Sequence, residues 1–186
     1  MTAPDTTPSY DADPRSEPPL AGDETATLRA FLDYHRDTLR MKVGGLDAAQ
    51  LARTLPPSDL TLAGLLKHVT WVEDHWFSHV LLDEGYAGPW GEIDVRTHPD
   101  WELRSAVDDS PSYLRELFDE VVARSDAVTD RLLATPEGLD TLSRRGDGRG
   151  ERFNLRWVLV HLVEEYARHN GHADLIRQAV DGSVGE

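Results

Sequence analysis

The residues with the clearest capacity for chemistry lie in the stretch EEYARHNGHADLIRQ, residues 164–178, where one carboxylate and two imidazoles fall within eight positions. Successive residues of an α-helix are about 100° apart, so Glu165, His169 and His172 would lie within a narrow arc, with His161 one turn earlier. Spacings of four and three are those by which one helix supplies two ligands to a divalent ion. The pattern indicates part of a metal site, to which another segment must contribute.

This interpretation requires a helix that continues through Asn170-Gly171, a pair that ordinarily marks a turn. A glycine inside a helix costs about 1 kcal/mol relative to alanine. Against that cost, apolar residues recur at steps of four and three on both sides of the glycine, and each buried Leu or Ile contributes roughly 1.5–3 kcal/mol. We therefore predict one continuous helix, beginning near Phe153 or Asn154 and ending at about Val180. The predicted inward stripe is Leu155, Leu159, Leu162, Tyr166, His169, Ala173, Ile176 and Val180.

A third ligand is available in LLKHVTWV, where His68 lies among apolar residues and would need a polar partner. His68, Glu165 and His169 together would form a three-ligand site with an open position, as in catalytic zinc enzymes. The same three residues could instead form a hydrogen-bonded network without metal, which would stabilise one core arrangement. His172 is a candidate for the catalytic acid or base, or for a fourth ligand.

Long helical patterns must position these residues, and no segment shows the alternation or βαβ rhythm of a sheet. The sequence therefore predicts an all-α fold, a four-helix bundle with a long crossover connection between helices 2 and 3. Aromatic residues in that connection indicate a loop folded onto the body of the protein. The predicted helices run from Asp23 to Gly44-Gly45, from a cap at Thr61 to about Glu84, from Ser110-Pro111 to about Ala134, and from about 153 to 180, with a polar loop, SRRGDGRGER, before the last.

Composition limits the classes of function. We expect residues 1–22 to be a flexible, acidic and Pro-rich tail and residues 23–186 to form one domain, because 186 residues suffice for a single core. The absence of cysteine excludes disulfides and thiolate chemistry from the chain's own side chains. A formal charge of -15 repels phosphate backbones and anionic lipids, so neither nucleic acid nor membrane is an expected partner. No signal-like segment is present, so we expect a cytoplasmic location.

A His in the second helix followed by E-x-x-x-H-x-G-H in the last resembles the DinB/YfiT-like superfamily, over about residues 24–180. That superfamily is related to the N-terminal domain of mycothiol-dependent maleylpyruvate isomerase and to bacillithiol S-transferases. The resemblance implies that His68, Glu165 and His169 hold a metal ion. Glu165 stands where many relatives have His, but the maleylpyruvate isomerase branch also has a carboxylate there. His172 stands where many relatives have Gln.

The resemblance implies a divalent-metal-dependent enzyme, with zinc favoured and nickel, manganese or iron as alternatives. In an S-transferase or isomerase reaction, its co-substrate would be a low-molecular-weight thiol, mycothiol. In the alternative, a hydrolase reaction on a small molecule, the co-substrate would be water. One rival is a non-catalytic stress-response protein that binds a metal or small ligand. Another is a structural homodimer without metal.

Overall fold

The chain folds into a mostly helical structure, seen in a computed structural model that describes residues 10, 13–86, 88–93 and 97–185. These residues form six α-helices and one antiparallel pair of strands, so the helical class predicted from the sequence is confirmed, while the four-helix bundle stays a prediction. Helix α1 packs against α6, and α3 packs against both α5 and α6. The elements are α1 (Glu24–Val43), α2 (Ala48–Leu51), α3 (Leu62–Asp74), α4 (Trp101–Ser105), α5 (Pro111–Leu133), β1 (Leu142–Gly146), β2 (Arg152–Asn154) and α6 (Leu155–Asp181).

The long helices begin at side chains that cap them. The Thr61 hydroxyl accepts a hydrogen bond from the Gly64 N–H at the start of α3. Ser110 accepts one from Tyr113 at the start of α5, and Pro111 occupies the first turn. Each cap satisfies an N–H group that the helix itself leaves unpaired. The starts predicted at Thr61 and at Ser110-Pro111 are therefore confirmed.

Helix α6 runs through Gly171 without interruption, as the apolar repeat predicts. A Cβ built at Gly171 would meet no atom within 4 Å, so no close packing requires the glycine. The inward stripe forms part of the core. Its buried members are Leu155, Leu159, Leu162, Tyr166, Ala173 and Ile176, whereas His169 and Val180 are half-buried.

Helix α3 changes its winding where the sequence predicts a simple continuation. Residues His75–Leu81 form a π-helix, and the helical segment ends there rather than at about Glu84. Asp83, with φ 55°, has left-handed backbone geometry that a right-handed helix cannot include. Single π-helical turns within α-helices are frequently found at functional sites.

The segment predicted as a polar loop before the last helix is a β-hairpin instead. Strands β1 and β2 pair antiparallel, and the turn between them is organised by Asp147. Its Oδ1 accepts hydrogen bonds from the backbone N–H groups of Arg149 and Glu151. Ser143 is fully buried and its hydroxyl accepts a hydrogen bond from the Phe153 N–H. Only one of the five β1 residues is buried, and the other four are exposed. The sequence therefore lacks the apolar alternation that would predict these strands.

The long connection between α3 and α5 folds back onto the helices in its described parts, as its aromatic residues predict. The Trp90 side chain is buried, and its indole N–H donates to Asp74 Oδ2 at 2.8 Å. Farther along, the Lys67 ammonium lies 4.3 Å from the centre of the Trp101 ring. It also bonds Asp109 at 2.6 Å. These contacts fix α4 on the surface of α3.

A buried ionic network joins three of the long helices. Arg36 of α1 donates from Nε and Nη2 to the two carboxylate oxygens of Glu73 on α3, at 2.7 and 2.9 Å. The Tyr166 hydroxyl of α6 donates to Glu73 Oε1 at 2.9 Å. Burial favours the neutral form of Arg36, but the charge of Glu73 and its hydrogen bonds outweigh burial and raise the pKa of the guanidinium. The network fixes the helices that carry the candidate site.

The division into a tail and one domain stays a prediction, and residues 1–9 and 11–12 of the expected tail lie outside the described residues. Within the described part, Tyr10 packs against the core, and its hydroxyl donates to the Arg115 carbonyl at 3.2 Å. Among the described residues, every helix is either too short or too polar to span a lipid bilayer.

Candidate metal centre

The structure brings His68, Glu165 and His169 together. Each offers one ligand atom, and these three atoms lie within 4.8 Å of one another. His68 comes from α3, and the other two come from adjacent turns of α6. Their side chains are 18%, 23% and 13% exposed, respectively, which leaves the cluster shielded but reachable from solvent. The arrangement combines limited access with the donor types that divalent transition metals prefer.

The spacing within the cluster suits a metal ion. His169 Nε2 lies 3.3 Å from Glu165 Oε2. Two ligand atoms held at about 2.05 Å from zinc at the tetrahedral angle would lie about 3.3 Å apart. The widest separation, within 4.8 Å, needs only small side-chain movements to reach that value. The residues present therefore fit a divalent ion bound by two imidazoles and one carboxylate.

The environment of His169 favours the neutral imidazole, which is the form that binds a metal ion. Burial, with smaller effects from the charges of His68, His172 and Arg168, lowers the pKa of His169 to about 4. The imidazole is therefore neutral at neutral pH and has a lone pair available for a metal. The strongly negative net charge of the chain also attracts cations.

Glu102 contacts the site from α4, and the predicted ligand set does not contain it. Its Oε1 lies 2.9 Å from His68 Nδ1. Burial alone would raise the pKa of Glu102, but the hydrogen bond from His68 and a backbone N–H outweigh it and lower that pKa. In the sequence Glu102 lies in PDWE, residues 99–102, inside the long connection between α3 and α5, where no spacing indicates a role for it. Its partner lies 34 positions away, so no local pattern links the two residues.

His172 is placed beside the cluster rather than inside it. The residue is exposed, and its ring centre lies 5.8 Å from that of His169. It belongs to neither of the metal-capable groups found among the described residues. A position one turn beyond a ligand, open to solvent, suits a group that exchanges protons more than it suits a fourth ligand.

His161 lies on the other side of Glu165. Its ring stacks on the half-exposed Trp157, with ring centres 5.0 Å apart, and its Nε2 lies 3.6 Å from Glu165 Oε1. Trp157 is 44% exposed, so one side of this stack faces solvent. His161, Glu164 and Glu165 form a second group of close ligand atoms, but Glu164 is exposed and paired with Arg168 at 2.8 Å. The first cluster is the better candidate, because two helices enclose it.

The π-helical turn carries a second set of histidines near this face. His75 Nδ1 lies 2.9 Å from the Tyr86 hydroxyl, and the Tyr86 ring stacks on His79 with centres 4.6 Å apart. Burial, assisted by the charge of His79, lowers the pKa of His75 to about 4. These imidazoles are therefore neutral aromatic surfaces at neutral pH.

Comparisons with known proteins show the family to which this chain belongs. The profile of the mycothiol-S-transferase family matches residues 27–182. No curated protein matches the sequence. Among solved structures, the crystal structure of a conserved protein from Enterococcus faecalis is similar over 88% of this chain and 100% of its own, with a TM-score of 0.67 and 17% identity, a likeness that shows the fold alone. The profile match covers most of the chain and includes every residue of the candidate site. The chain therefore belongs to the mycothiol S-transferase family, of the DinB/YfiT-like type.

Proposed function

We propose that this protein is a metal-dependent S-transferase that joins mycothiol to a small electrophilic molecule, with a divalent ion, zinc by preference, held by His68, Glu165 and His169. The family match supports the thiol. The observation that carries the metal is the convergence of three donor atoms from α3 and α6 within 4.8 Å. A cytoplasmic location and a homodimer stay predictions.

The reaction requires a thiol that loses its proton near neutral pH. A bound divalent ion supplies positive charge that lowers the pKa of a thiol beside it. In the transfer, the thiol sulfur forms a bond to the electrophilic carbon, and the bond from that carbon to its leaving group breaks. The thiol proton goes to the imidazole of His172 and from there to solvent or to the leaving group. His172 is suited to this role because it is exposed and adjacent to the cluster.

Metal content is the first test. Protein purified without an affinity tag should contain about one divalent ion per chain, as a three-ligand site implies. The His169→Ala variant should lose that ion, because one of three ligands is missing. His98→Ala removes an exposed imidazole on the connection and serves as the matched control, with metal content unchanged. Full metal content in His169→Ala would refute the ligand assignment.

Thiol transfer is the second test. Metal-loaded protein is mixed with mycothiol and a panel of electrophiles, and the loss of free thiol and the mass of the conjugate are measured. The His172→Ala variant should retain its metal yet lose about 100-fold in kcat, a typical contribution of a general base. Ester or amide hydrolysis without thiol consumption would indicate a hydrolase instead. Tight retention of a ligand without any turnover would indicate the binding protein.

A further inference from the structure

We propose that Glu102 is a positioning residue that fixes the tautomer of His68, so that His68 presents Nε2 to the metal. This inference rests on the proposed function, because it assigns the arrangement of one of the three ligands. The observation that motivates it is the 2.9 Å contact between His68 Nδ1 and Glu102 Oε1.

The chemistry of the pair determines which nitrogen carries hydrogen. A carboxylate only accepts hydrogen bonds, so the nitrogen in contact with it must donate. A neutral imidazole has one N–H and one lone pair, and with hydrogen on Nδ1 the lone pair is on Nε2. Metal-binding histidines commonly donate their second N–H to a carboxylate in this way, which orients the ring and makes the ligand more basic.

The contact is held in place by its surroundings. The side chains of His68 and Glu102 are only 18% and 11% exposed, so water competes weakly for the hydrogen bond. Lys67, next to His68 in sequence, lies over the Trp101 ring and bonds both Ser105 and Asp109. Helix α4 is therefore anchored on both sides of Glu102 to the same turn of α3 that carries the ligand. A free surface carboxylate would have no such restraint.

The second imidazole of the site has no equivalent support. His169 Nδ1 is buried and has no hydrogen-bond partner among the described residues. The two histidines thus differ within one site, and the influence of Glu102 should be confined to His68. Without Glu102, His68 could carry hydrogen on Nε2, and that tautomer has no lone pair at the atom assigned to the metal.

The test measures the tautomer and the metal affinity separately. Nitrogen-15 NMR of the metal-free protein reports which nitrogen of His68 carries hydrogen, and competition with a chromophoric chelator gives the zinc Kd. Wild-type protein should show hydrogen on Nδ1. Glu102→Ala should show a mixture of tautomers and a zinc Kd raised by about 10- to 100-fold, the usual effect of removing such a carboxylate. Glu102→Gln, whose amide oxygen can still accept, should retain the tautomer and lose less affinity.

Asp108→Asn is the matched control, because it removes one exposed negative charge from the same connection. It should leave the tautomer and the Kd unchanged. The inference is overturned if Glu102→Ala keeps hydrogen on Nδ1 and binds zinc within about twofold of the wild type, since a supporting carboxylate should contribute at least tenfold. If the wild type itself binds no zinc, the proposed function fails, whereas the NMR measurement on metal-free protein still decides the role of Glu102.

Discussion

Replacing Glu73 by Gln should destabilise the fold by about 3 kcal/mol, although the substitution changes neither size nor shape. The Glu73 carboxylate accepts two hydrogen bonds from Arg36 and one from Tyr166, and all three side chains are buried. An amide in its place leaves the Arg36 charge without its main counter-charge in the interior.

The expected loss in the free energy of unfolding depends on the charged partners that Arg36 retains. Removing one member of a buried ion pair typically costs about 3–5 kcal/mol. Arg36 Nη1 keeps contacts with Asp33 at 3.0 Å and Asp126 at 2.8 Å, whose side chains are 54% and 41% exposed. These partly solvated charges compensate in part, so we expect the lower end of the range. For a chain of this size, about 3 kcal/mol corresponds to a decrease in Tm of roughly 6–12 °C.

Urea denaturation followed by tryptophan fluorescence measures the free energy of unfolding directly. Asp126→Asn is the matched control, because it removes a carboxylate that contacts the same guanidinium at the surface, and it should cost less than about 1 kcal/mol. Equal losses in Glu73→Gln and Asp126→Asn would refute the reasoning, since burial would then have no influence on the strength of the pair.

Two further predictions concern pH and backbone. The metal-free protein should lose stability as pH falls from about 6.5 toward 4, because the unfolded chain binds protons that folded His75 and His169, each with a pKa of about 4, do not accept; linkage gives a loss of up to roughly 3 kcal/mol for His75 alone. Urea titrations at several pH values measure this loss, and a His75→Phe variant with the same slope as the wild type would contradict it. Gly171→Ala should raise the free energy of unfolding by about 0.5–1 kcal/mol, because the new Cβ has open space around it and helical glycine is entropically costly. A lower Tm in that variant would show that the position needs glycine.

The relative positions of two of the three candidate ligands could be predicted because their determinants are local. Residues four apart on one helix share a face wherever the helix lies, so Glu165 and His169 had to be neighbours once α6 was continuous. The apolar repeat predicted that continuity, because burial of several large side chains outweighs one glycine. His68 can be assigned to the same site because an imidazole among apolar residues needs a polar partner, and the family resemblance supports that assignment, since helical spacing alone does not determine which helices meet.

Other features depend on partners far apart in sequence or on weak local patterns. Glu102 looks like an ordinary acidic residue of a loop until α4 is placed against α3. Arg36 and Glu73 belong to residue types that are almost never fully buried unless paired, and only their pairing permits burial. The hairpin escaped prediction because its strands are short, charged and mostly exposed, so hydrophobic alternation was absent.

Two of the three candidate ligands, His68 and Glu165, are 97 residues apart in sequence, on helices that meet only when the chain is folded. A fragment that contains either helix alone has at most two of the three donors. A cation whose binding requires all three donors would bind folded molecules and not unfolded ones, and so would stabilise the fold. It would act as a reversible cross-link that closes a long loop of the chain. Such a cross-link would make metal supply in the cell a determinant of how long each copy of the protein survives.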